Sequence, residues 1–298
     1  MTANKKDPKN PLAEVFGFPT SNKSKRALHY QSSRLCPFNN VVPSCTKVSV
    51  VDPLGVCSLF DRDGHPTVVC PTRFKQDLII AEQAAKFFFP PQAKWVVLPE
   101  VRLKDGNGKA AGNVDLVLVT YDKDGFVQDF GALEIQAVYI SGNVRRPFRK
   151  YTEDLTAKTI NWAGVKEYPR PDYLSSSRKR LAPQLIYKGG IFKAWSKKAA
   201  VVTDRKFFST LPRLSEVKAG KADIAWFIYD LARNRKTDCY ELKLQKTIYT
   251  EFGPALDAIT KTKAGPVEDF VKVLQGKLKK LRKGETVADT TLASEALE

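Results

Sequence analysis

Histidine is nearly missing from this 298-residue chain, which carries only His29 and His65. So few imidazoles exclude a histidine-rich metal site and leave almost no candidates for a Ser-His-Asp triad. No apolar run approaches the roughly 18 residues that a membrane span needs. The start, Met1 to Asn10, is polar and lysine-bearing and has no apolar segment of the kind found in secretory leaders, so a cytoplasmic location is expected. There is no internal repeat and no Cys-x-x-Cys pair. Acidic residues are scarce beside basic ones, 32 against 49, for a net charge of +17. A surface this basic attracts a polyanion, phosphate above all. With 43% hydrophobic and 27% charged residues the chain can bury a core, which excludes wholesale disorder.

The first 75 or so residues hold four of the five cysteines, many prolines and short mixed segments, and read as a loop-rich region without a deep core of its own. Phe74 to Phe89 has near-helical apolar spacing and stops at Pro90-Pro91. Three strands follow, Lys94 to Leu103, Val114 to Tyr121 and one within Phe126 to Tyr139. The turns between them, Asp105-Gly-Asn-Gly108 and Asp122-Lys-Asp-Gly125, favour hairpins and antiparallel neighbours. Ser141 to Pro183 reads as long basic loops and a helix start, and Leu181 to Trp195 as a helix interrupted at Gly189-Gly190. Ala199 to Thr203 is a short strand, and Asp223 to Leu231 pairs with Cys239 to Thr250. Pro254 to Lys283 is largely helical, with a basic stretch (Lys277, Lys279, Lys280, Arg282, Lys283), and a polar, acidic tail follows.

The most informative stretch is Pro99 to Tyr139, with Glu100, Asp115, Glu134 and Gln136. Residues two apart in a strand share a face, so Glu134 and Gln136 point the same way, and their same-face neighbours Ala132 and Val138 are not solvent types. The Asp115 strand is apolar on both faces, as central strands are. Acids beside buried strands repel one another and are costly to desolvate. A divalent cation resolves both difficulties, and Mg²⁺ needs only one or two carboxylates besides water and phosphate oxygens. This is the logic of an Asp…Glu-x-Lys nuclease site with Gln136 in the lysine's place. Capping of the Gly112-Asn113 turn by Asp115, and a lysine pair for Glu134, would explain the same residues without catalysis. A second set, Asp223, Glu241 and Lys243, spells the same pattern with its lysine, but Glu241, Lys243 and Gln245 alternate with Tyr240, Leu242 and Leu244, as on a strand whose polar face is solvated.

Cys36, Cys45, Cys57 and Cys70 follow one another at spacings of 9, 12 and 13 residues, and Cys239 is remote. In a reducing compartment two disulfides are disfavoured, and four thiolates around one metal would staple a loop-rich region; zinc and iron both suit such ligands, and free buried thiols are the alternative.

Together these features resemble the NotI type of type II restriction endonuclease. The likeness rests on NPLAEVFGFPT (Asn10 to Thr20), the four cysteines, LPEV…GNVDLVLV…GALEIQAV (Leu98 to Val138), SGNVRRPF (Ser141 to Phe148) and KADIAWFIYDL (Lys221 to Leu231). It implies an α/β, PD-(D/E)xK restriction-endonuclease-like mixed sheet flanked by helices, with an N-terminal four-cysteine metal-binding, DNA-recognition region over 1–75 and a nuclease domain over 76–298. It implies a homodimer that cuts double-stranded DNA at a GC-rich palindrome with Mg²⁺. By the same likeness Asp115 and Glu134 become the magnesium ligands, Gln136 takes the lysine position and Glu100 is the supporting acid. Cys36, Cys45, Cys57 and Cys70 then hold iron, with zinc as the other candidate. The chain is compact for such an enzyme, which leaves its target sequence open.

Arg145, Arg146, Arg149 and Lys150 follow closely after the Glu134 strand and are expected at DNA. Arginine is the commonest reader of guanine, though most basic runs only touch phosphate. The competing reading is a non-catalytic DNA-binding protein, regulatory or architectural, with a structural metal.

Overall fold

The computed structural model describes residues 10–40, 42–157, 160, 162, 167–261 and 264–282. Lys283 and the acidic tail, like Met1 to Lys9, lie outside the described residues. By packing, the chain divides into two compact units, 1–259 and 260–298, so regions 1–75 and 76–259 meet within the first.

The first unit opens with a small antiparallel sheet rather than loops alone. Its strands are β1 (Leu12–Val15), β2 (Phe18–Pro19), β3 (Val56–Phe60) and β4 (Pro66–Val68), ordered β2-β1-β3-β4. Between β2 and β3 lies the helix α1 (Lys25–Ser32), which starts where the Ser24 side chain accepts from the Ala27 N–H. A 3₁₀ segment (Pro71–Leu78) then leads into α2 (Ile79–Phe88). The apolar period over Phe74 to Phe89 therefore becomes an α-helix only from Ile79, because Asp77 and Leu78 sit at φ of 50° and 55° and break the ladder.

The main sheet has six strands. They are β5 (Trp95–Lys104), β6 (Ala110–Tyr121), β7 (Val127–Gln136), then, beyond the short strand β8 (Tyr139–Ser141), the helix α3 (Arg145–Glu153) and the short strand β9 (Arg170–Asp172), β10 (Ala199–Asp204), β11 (Ile224–Asn234) and β12 (Cys239–Thr250). Their order is β12-β11-β10-β7-β6-β5. The hairpin turns make β5, β6 and β7 antiparallel neighbours; β10 lies parallel to both β7 and β11, and β12 closes antiparallel on β11. Asp115 sits within β6 rather than opening it, since pairing with β5 continues back to Ala110.

One face of the sheet packs Leu116, Leu118, Leu133, Ile135, Val202 and Phe227 against α2. The other buries Val201, Ile224, Trp226 and Ile248 with Leu181, Leu185 and residues of the cysteine-bearing region. Leu181 and Leu185 belong to a continuous helical run over residues 173–194 that contains two π-helical stretches, Ser177–Leu181 and Leu185–Gly189. The run passes straight through Gly189-Gly190, where the sequence suggests a break. Both glycines keep right-handed helical backbone angles, and a Cβ on Gly189 would lie 2.7 Å from Phe252 Cε2, so this glycine permits a close approach rather than a stop. The region after Ser141 is also more ordered than its composition suggests, with α3 burying Pro147, Phe148 and Tyr151.

The helical C-terminal segment is two helices, Phe252–Thr260 and Val267–Arg282, because Pro266 cannot continue a helix from the preceding residues. The second, in the unit of its own, exposes an apolar stripe of Val267, Val271, Leu274, Leu278 and Leu281. No helix among the described residues is long and apolar enough to cross a membrane.

A buried ion pair inside region 1–75 aims a guanidinium nitrogen at the far edge of the main sheet. Arg73 Nε donates to Glu14 Oε2 at 3.0 Å, and both side chains are fully buried. Ser58 Oγ donates to the same Glu14 oxygen at 2.8 Å, while Arg73 Nη2 reaches the Tyr240 carbonyl at 2.9 Å. Removing one partner strands the other charge in the interior. Arg73→Met should therefore destabilise the chain by about 3–5 kcal/mol, read as a shift in the denaturant midpoint, with a double Arg73→Met/Glu14→Gln variant recovering part of the loss.

Candidate active site and cysteine cradle

The pairing register brings the acids together. Leu116 pairs with Leu133, and one step further along this antiparallel ladder Asp115 stands opposite Glu134. The two carboxyls share a face, and the Asp115 charge adds to the rise of the Glu134 pKa. Glu134 is also level with Val201 on β10, which is level with Trp226 and then Ile248. The acids thus end a row that is otherwise apolar core.

Each carboxylate is anchored by one oxygen. Asp115 Oδ2 accepts the Ile135 N–H at 2.7 Å. Glu134 Oε2 accepts from Lys188 Nζ at 2.7 Å, whereas Glu134 Oε1 is buried without a hydrogen-bond partner among the described residues. Burial, more than the Asp115 charge, pushes the Glu134 pKa up to about 7, and Lys188 opposes the shift. Gln136, only 1% exposed and level with Thr203, likewise leaves its Oε1 unpartnered. A cavity of about 20 Å³, room for one water, lies beside Glu134 and Lys188.

Glu100 is level with Asp115 by the β5–β6 register but stands exposed, at a φ of +54° that interrupts the pairing. Left-handed backbone at a non-glycine residue is strained. The structure therefore unites Asp115 and Glu134, sets Gln136 two residues along, and leaves Glu100 at the rim. Among the described residues no group of three or more His, Cys, Asp or Glu side chains is arranged to hold a metal ion. Two carboxylates with phosphate and water oxygens fall below that count and still suffice for Mg²⁺. The unpartnered Glu134 and Gln136 oxygens are the kind of buried acceptors a hard cation satisfies.

The second Asp…Glu-x-Lys set does not converge. Asp223 precedes the Ile224–Thr250 pair, while Glu241 pairs with Ala232, about 30 Å further along the hairpin at ~3.3 Å per residue. Asp223 is taken by Lys193 at 2.9 Å, and Glu241 by Lys243 at 2.7 Å.

Lys188 is the residue that motif reading missed. The signal was its phase: Leu181, Leu185, Lys188 and Phe192 lie on one helical stripe and all are buried, and a lysine on such a stripe needs a buried partner.

All four clustered cysteines are buried, none forms a disulfide, and together they line one closed cavity of about 10 Å³, the space of a single small ion or water. Burial raises the Cys36 thiol to about 11 and lifts Cys45 and Cys57 as well, with the neighbouring cysteines adding to each shift. Thiols so disposed stay protonated unless a metal ion replaces the protons, but the four sulfurs are not gathered into a metal-holding group in the structure. Lys47 caps the cavity by donating to the Val56 and Val69 carbonyls at 2.6 and 3.1 Å.

The basic residues after β7 sit on α3. Arg146 and Arg149 are exposed, Lys150 is half-buried, and Arg145 is 3.6 Å from Asp52. Gly142, at φ +86°, turns the chain into this helix; a Cβ there would lie 2.7 Å from the Glu167 carbonyl.

The family model described as restriction endonuclease NotI matches residues 22–242, well over half of the chain and inclusive of the acids, Lys188 and all five cysteines. No curated protein matches the chain.

The raised Glu134 pKa has a consequence for stability in the absence of metal. Unfolded, this carboxyl ionises near its ordinary 4.5; folded, near 7. Between those values the folded state holds the extra proton, so the stability it contributes is lost as pH rises through this window. Glu134→Gln, which has no proton to lose, should gain on the parent by up to about 3 kcal/mol between pH 4.5 and 7, measured by urea unfolding in EDTA.

Proposed function

The chain belongs to the NotI family of restriction endonucleases, which cleave DNA at specific sites, and from that premise we propose that Asp115 and Glu134 seat the Mg²⁺ of a type II enzyme acting on double-stranded DNA. The observation that carries this reading is the cross-strand pair itself, with Glu134 Oε1 buried and unspent. A magnesium ion held there would neutralise charge building on the phosphodiester and acidify a bound water. The protein's own groups do the positioning. Asp115 is fixed by the Ile135 N–H and Glu134 by Lys188, so neither carboxylate has to be ordered when DNA arrives. The Gln136 carboxamide stands where such sites usually carry lysine and offers a neutral donor and acceptor to water. Glu100, on strained backbone at the rim, is the supporting acid.

Arg146 and Arg149, exposed on α3, would meet the DNA backbone, with Arg145 and Lys150 beside them, and the net charge of +17 favours the approach. A GC-rich palindrome and a two-fold homodimer are the matching target and assembly, since equivalent half-sites call for equivalent subunits. In this reading 1–75 is the metal-stapled recognition region, with Cys36, Cys45, Cys57 and Cys70 around iron or zinc, and 76–298 carries the nuclease chemistry. Family membership favours this over a non-catalytic DNA-binding protein.

Asp115→Ala should abolish Mg²⁺-dependent cleavage of GC-rich plasmid DNA while leaving binding, assayed with Ca²⁺ in place of Mg²⁺, within a few-fold of the parent. Cleavage at the parental rate would refute the assignment, and sequencing the cut ends would report site and stagger together. Elemental analysis of freshly purified protein should find close to one iron or zinc per chain, and Cys45→Ser should lower both that content and the melting temperature; metal-free protein that melts normally would refute the cradle.

A further inference from the structure

Lys188 is the one buried lysine among the described residues, 5% exposed, and it arrives from a helix rather than from the strand that carries the acid. Its Nζ spends one donor on Glu134 Oε2 and one on the Asn113 carbonyl, each at 2.7 Å. Asn113 lies two residues before Asp115 on β6, so this single ammonium ties together the two strands that supply the acids. The π-helical stretch Leu185–Gly189 contains Lys188, and π turns inside α-helices recur at functional sites because they re-aim one side chain. The neighbouring Gly189 holds the helix against Phe252, which fixes the depth from which Lys188 reaches.

We propose that Lys188 is the lysine of this active site, supplied in trans to the Glu-x-Gln strand: by tying down Glu134 Oε2 it turns Oε1 and Asp115 toward the divalent cation. The inference rests on the reading of Asp115 and Glu134 as the cation's seat. Lys188 is a positioning residue, acting through Glu134. Gln136, being neutral, cannot supply a cation at its own position, and Lys188 places one beside the same carboxylate from the opposite layer. A buried ion pair that served only to hold the helix would not require the second carboxylate oxygen to be left without a partner, yet it is.

The test uses the full chain and two readouts. Mn²⁺ affinity without DNA, followed by electron paramagnetic resonance, should fall on the order of 10–100-fold in Lys188→Met, the usual effect of removing a group that orients a metal ligand. Cleavage of the DNA substrate should slow at least as much at the parent's working Mg²⁺ concentration, and the deficit should shrink as Mg²⁺ is raised. Lys188→Arg, which keeps the charge but not the reach, should regain part of the Mn²⁺ affinity. Thermal unfolding controls for folding; if Lys188→Met does not fold, Lys188→Gln, a polar side chain too short to reach Glu134 Oε2 and without the charge, is read in its place and should show the same weakened Mn²⁺ binding. Parental Mn²⁺ affinity in the folded variant would overturn the proposal. If Asp115→Ala is inactive but Lys188→Met cleaves like the parent, only the role of Lys188 fails; if Asp115→Ala itself cleaves, the seat has failed.

Discussion

Two carboxylates facing each other across neighbouring strands, on a face that is otherwise apolar core, are the constraint around which this molecule is organised. Like charges at that separation, shielded from water, are unfavourable, and the structure does not relieve them fully. It anchors one oxygen of each, brings a lysine through the overlying helix, and leaves a buried oxygen unsatisfied. Proteins retain such strain where a ligand removes it. The apolar row from Val201 to Ile248 keeps the surroundings dry and rigid, so the pair cannot relax into solvent.

The cysteine cradle and the acidic pair are close along the hydrogen-bonded framework. β7 runs from Glu134 through Gln136, and the Val138 N–H then donates to the Val68 carbonyl at 3.0 Å, two residues before Cys70. On the other side, Arg73, paired with Glu14 inside the region, donates to the Tyr240 carbonyl of β12. Region 1–75 is thus tied to the sheet by hydrogen bonds at both places, and the small β2-β1-β3-β4 sheet lies in one compact unit with the larger one.

Much of this was legible in the sequence, for identifiable reasons. Strands β5 to β7 announced themselves because Asp-Gly and Asn-Gly turns favour hairpins, but setting Asp115 opposite Glu134 also takes the register shift between Thr120 and Tyr121, which no turn residue marks. The contrast between the two Asp…Glu-x-Lys sets was legible too: alternation marks a solvated strand face, and Glu241 does pair with its neighbour Lys243. What escaped notice depends on contacts distant in sequence. Nothing local tells that Gly189 is pressed by Phe252 instead of ending a helix, or that the basic run after Ser141 buries Phe148 and Tyr151 beneath its arginines. Lys188 was hidden for the same reason. Its stripe was visible, but its partner lies 54 residues away.

The π-helical stretches of the 173–194 helix carry a further consequence. A π turn holds one more residue than an α turn, so losing a single residue from either stretch could restore regular winding with little loss of backbone hydrogen bonding. Downstream side chains would then keep their faces, whereas the same deletion from an α-helical turn would swing them by about 100° about the helix axis. The first of these stretches is thus where the segment best tolerates a change of length, while a one-residue deletion from an α-helical turn before Lys188 would turn its inward-facing ammonium toward the solvent.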